Sequence, residues 1–99
     1  MRKCYEKKIL SIQKELNKEG VIPRMAYRRN SIIYPLICQV NNITGCYLSS
    51  NYKALPTLLE RANLFIVDNP KEEYKKYYDL VSQYFSLISD SINYQDTHP

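Results

Sequence analysis

Cys38 and Cys46, with seven residues between them, are the chain's nearest approach to a metal or redox pair. Zinc sites show paired close spacings such as C-x₂-C. Here no second pair exists, and Cys4 stands apart. Two core thiols explain the pair better than a metal site does. A redox pair would require both thiols to face each other across a hairpin. His98 is the chain's lone histidine and stands next to the last residue. A general base must be held within hydrogen-bond reach of its target, and a fraying tail holds little. Glu72 and Glu73 suit a helix N-terminus, where the dipole favours carboxylates. No glycine-rich phosphate loop, H-E-x-x-H or G-x-S-x-G is present,. These readings predict no catalytic residue, no metal and no cofactor.

The informative groups are cationic and aromatic. Residues 1–29 hold nine Lys/Arg against three Glu, a local charge of +6. Residues 30–69 are neutral, and residues 70–99 hold three Lys against five Asp/Glu, or −2. The total is +4. Lys3, Lys7, Lys14 and Lys18 recur on one side of a helix at about 100° per residue,. Arg24, Arg28 and Arg29 follow and bracket Tyr27. Arginine forks suit phosphate or carboxylate partners, and Arg beside Tyr suits stacked bases. A lysine face opposite an apolar stripe is also what any solvated helix carries. Four of ten tyrosines, Tyr74, Tyr77, Tyr78 and Tyr84, fall within eleven positions. They form either one wall of a core or, through Tyr77 and Tyr84, a flank that meets a partner.

The elements that position these groups come from periodicity. Tyr5, Ile9, Ile12 and Leu16 make an amphipathic helix over about residues 2–19, stopped by Gly20,. In "SIIYPLICQV", Ile32, Tyr34, Leu36, Cys38 and Val40 alternate at period two,. Pro35 fits an edge or a bulge. "NNITG" fits a turn, so a β-hairpin over about 32–40 and 45–50 is expected. Leu55, Leu58, Leu59 and Ala62 mark a helix with Pro56 in its first turn,. Phe65 and Ile66 continue its stripe toward Val67, although 64–68 also suits a third strand. Asn69, Pro70 and Glu72 read as a capping box for a last helix. Its stripe is Tyr74, Tyr78, Val81, Phe85, Ile88 and Ile92, and it runs to about Asn93, with 94–99 as a frayed tail.

The expected fold is therefore a single α+β domain. A β-hairpin or three-stranded antiparallel sheet would be packed by the N-terminal helix and the long C-terminal helix. The order is α-β-β-α-α, or α-β-β-α-β-α if 64–68 is a strand. No apolar region follows the basic N-terminus, and no run approaches the ~18 residues a membrane span needs,. A reduced, cytoplasmic chain with no membrane partner is expected. Richness in Ile, Lys, Asn and Tyr fits phage or mobile-element proteins. The functional expectation is a small non-catalytic regulator or inhibitor that docks on a larger protein. The alternative is nucleic-acid binding through the N-terminal helix with Arg24, Arg28 and Arg29. A homodimer through the 70–93 helix is compatible with either.

Overall fold

The structure is a computed structural model that describes residues 2–18, 28 and 31–97, with side chains over 5–18, 28 and 31–93. Four α-helices follow in order: α1 (Arg2–Leu16), α2 (Tyr34–Leu48), α3 (Leu55–Asp68) and α4 (Lys75–Thr97). A 3₁₀ turn, Glu72–Tyr74, leads into α4. No strand occurs among the described residues. The α+β expectation is thus corrected to an all-helical fold, and the hairpin and the third strand with it.

The hairpin reading failed on α2. Its buried residues are Leu36, Val40, Ile43 and Tyr47, preceded by buried Ile33. They step by 3, 4, 3 and 4, which is the helical period,. The period-two set was a coincidence of an apolar-rich run. Ile32, placed with the inward set, is 43% exposed, whereas its neighbour Ile33 is fully buried. Pro35 lies in the first helical turn, where its missing N–H has no intrahelical acceptor to serve. "NNITG" is helix interior: Ile43 points inward, and Asn41, Asn42 and Gly45 face outward.

The turn comes later and has a defined chemistry. The Asn51 N–H donates to Cys46 O (2.9 Å) and the Ser50 N–H to Tyr47 O (3.2 Å). Together these form a Schellman motif. Ser50 occupies the left-handed position with φ 61°, where glycine is usual. Pro56 then opens α3 within its first turn,.

α3 continues through Phe65 and Ile66 to Asp68 as one helix, as its stripe suggested. Asn69 closes it. Both the Asn69 backbone N–H (2.9 Å) and its Nδ2 (3.0 Å) donate to Phe65 O. The capping-box reading of Asn69 is therefore corrected, since its side chain finishes the helix before it. Tyr78 Oη donates to Asn69 O at 2.6 Å and ties α4 to that end. α4 extends to Thr97, beyond the expected Asn93.

α4 is the element on which the others assemble. α1 and α3 pack against it, and α2 packs against α3. All six residues of its expected stripe are buried, and so are Tyr77 and Tyr84. The buried side chains join in one cluster with those of α1, α2 and α3. The broad apolar arc of α4 is thus accounted for by several neighbouring helices. The molecule measures 42 × 24 × 21 Å.

Candidate binding surface

The lysines of α1 stand opposite its packed side. Ile9 and Leu16 are buried, and Tyr5 and Ile12 pack beside them. Lys7, Lys14 and Lys18 are exposed, as is Lys8. Lys18 Nζ lies 2.6 Å from Glu15 Oε1, one turn back. Lys7 and Lys14 make no ion pair with another described residue. Lys3 belongs to α1, and Arg28 is exposed. Arg24, Tyr27 and Arg29 lie outside the described residues.

A groove of about 240 Å³ runs between α1 and α2, lined by Glu6, Ile9, Leu10, Gln13, Tyr47 and Leu48. Leu10 is 52% exposed and Leu48 68%. On α1, Leu10 follows Lys7 by three residues and precedes Lys14 by four, so the three are neighbours on the helix surface. Sequence reasoning missed both leucines. Leu10 could have been found from its place well off the Tyr5–Leu16 stripe. Leu48 could not, because assigning it to a strand left its face undefined.

Beneath the groove a polar node joins three helices. Gln13 Nε2 of α1 donates to Tyr84 Oη of α4 at 3.0 Å, and Thr44 Oγ1 of α2 shares a hydrogen bond with the same hydroxyl. Tyr47 Oη lies 3.0 Å from Ser91 Oγ, a second bond from α2 to α4. Burial pushes the Tyr84 hydroxyl above its ordinary pKa of 10.0, while the bonds from Thr44 and Gln13 pull the other way,. Tyr78 is likewise raised, by burial first, then by Tyr74 and Glu73. Tyr77 and Tyr84, expected on a partner-facing flank, have 2% and 0% of their surface exposed. Their rings belong to the chain's own core.

Cys38 and Cys46 are free, half-buried and on the same helix. Eight residues of α-helix separate their backbones by about 12 Å. A disulfide needs Cα atoms within about 7 Å. The redox-pair idea depended on the hairpin and falls with it. Peptide mapping of the oxidised monomer is expected to recover no Cys38–Cys46 crosslink; finding one in folded protein would contradict a continuous α2. Among the described residues, no group of three His, Cys, Asp or Glu side chains could hold a metal. No helix among them is long and apolar enough to cross a membrane. Compared with known protein families, curated proteins and solved structures, the chain matches none.

Proposed function

We propose that this chain is a non-catalytic binding protein, a small regulator that docks on a larger protein through the α1–α2 face. The observation that carries this reading is one groove with two exposed leucines, Leu10 and Leu48, beside Lys7 and Lys14, which pair with no described carboxylate. The occupant is an amphipathic helical segment of the partner, with an apolar anchor for the groove and carboxylates for the lysines. Helix-in-groove recognition has this form, with apolar contact supplying affinity and charge supplying register and speed. The lysine row also supports the alternative of nucleic-acid binding. Phosphates make use of Lys7 and Lys14 but leave Leu10 and Leu48 without a role.

The test is selection from a displayed library of helical peptides, followed by anisotropy with the selected peptides and with labelled DNA and RNA. Selected peptides are expected to carry an apolar residue flanked by Asp or Glu. The K7E/K14E and L10E variants are expected to weaken them at least about tenfold, or ~1.4 kcal/mol. Duplex binding should collapse between about 50 and 200 mM salt. Tight duplex binding at the higher salt, with no peptide dependent on Leu10, would replace this reading with the nucleic-acid one.

A further inference from the structure

We propose that the outward face of α3 is a self-association surface on which a second copy of this chain packs antiparallel. Val67 is 71% exposed and Leu64 54%, an apolar ridge with Leu64 opposite buried Leu55, Leu59 and Ala62 and Val67 on the flank of α3,. The ridge forms part of an open groove of about 460 Å³ that also includes Pro56, Leu59, Glu60, Asn63 and Ser89. Arg61 and Asp68, three residues before Leu64 and four after it, are exposed on the side of Leu64 away from that groove,. Neither makes an ion pair with another described residue.

The positions of these charges identify the occupant. Arg61 and Asp68 are seven residues apart, so they lie on one edge of the helix, about 10 Å from each other. That distance prevents pairing within the chain. A twofold axis perpendicular to two antiparallel helices keeps each edge facing its own counterpart and reverses the order of residues along it. With the axis beside Leu64, Arg61 meets Asp68 of the second copy, and Asp68 meets its Arg61. Two ion pairs then close around the paired Leu64 side chains. Glu60 shares the line of Val67, seven residues on, across Leu64 from Arg61 and Asp68,, so it meets Val67 of the second copy. A different protein would have to supply this reversed charge order independently, whereas a second copy supplies it by symmetry. The surface is on α3, so it is independent of the α1–α2 face. It also differs from the helix first expected to dimerise, since the tyrosines of α4 are buried.

Sedimentation equilibrium of the full chain, from micromolar to millimolar concentration, tests this. The wild type is expected to dimerise reversibly and more weakly as salt rises. R61D and D68R should each weaken the dimer at least about tenfold. The double swap R61D/D68R restores the charge order in reverse and should return the affinity to within about threefold of wild type. Both residues are exposed, and circular dichroism verifies that each variant is folded. A wild type that is monomeric throughout would overturn the proposal and leave the face to another protein. A dimer insensitive to the single swaps, or not rescued by the double swap, would overturn it as well.

Discussion

Tyr84→Ala is expected to lower the unfolding free energy by about 4 kcal/mol. The ring has no exposed surface, so its removal leaves a cavity between helices. It also strips the Gln13 amide and the Thr44 hydroxyl of their common partner. Domains of this size have only about 5–15 kcal/mol to lose. The melting temperature should fall by about 15–30 °C. Tyr84→Phe keeps the ring and removes only the hydroxyl, so about 1–2 kcal/mol is expected. The ratio of the two losses separates packing from hydrogen bonding. Urea unfolding followed by far-UV circular dichroism measures both. A Tyr84→Ala loss below about 1.5 kcal/mol would show that the ring is not core.

The same hydroxyl gives a pH signature. Its folded pKa is raised above 10.0, so the unfolded chain releases that proton first. The contribution is complete below pH 10 and is lost as pH rises from there through the folded value,. Tyr84→Phe should therefore flatten part of the alkaline decline in stability.

The second large effect is at Asn42. In a hairpin, Asn42 would sit in the turn, where proline is an ordinary residue. In α2 it is exposed helix interior. Asn42→Pro then removes the N–H that bonds one turn back and drives its ring against the carbonyl of Cys38, costing about 3 kcal/mol or more. The exposed side chain has little packing to lose, so the loss reports the backbone alone. Gly45→Ala should act in the opposite direction. A Cβ at Gly45 meets nothing within 4 Å, and alanine in a helix interior is favoured by roughly 0.5–1 kcal/mol. A turn requiring positive φ at Gly45 would reverse that sign. Thermal melts of the two variants decide between helix and turn at this segment. A stable Asn42→Pro with a weakened Gly45→Ala would contradict α2.

Three of the helices were legible from residue order. Tyr5, Ile9, Ile12 and Leu16 repeat on one face of α1, and Leu55, Leu58, Leu59 and Ala62 do so on α3. The six-residue stripe from Tyr74 to Ile92 is buried throughout. These stripes are long, and periodicity over several turns has one reading. The outward placement of Lys7, Lys14 and Lys18 follows from the same count. α2 was not legible in this way. In "SIIYPLICQV" almost every position is apolar, so period two and period 3.6 both find matches, and β-branched residues tip propensity toward strand. Burial against neighbouring helices decides in favour of the helix, because only that form turns Ile33, Leu36, Val40, Ile43 and Tyr47 inward together. Asn69 shows the same limit at shorter range, since its amide can cap the helix after it or finish the helix before it. Tyr77 and Tyr84 could have faced a partner or the core, and their neighbours on other helices decide it. The Leu10–Leu48 groove and the Arg61–Asp68 edge depend likewise on which helix faces are left uncovered. The sequence by itself determined where apolar and charged residues recur along each helix. Only tertiary packing decided which of those faces meet, because burial depends on residues far apart in the chain.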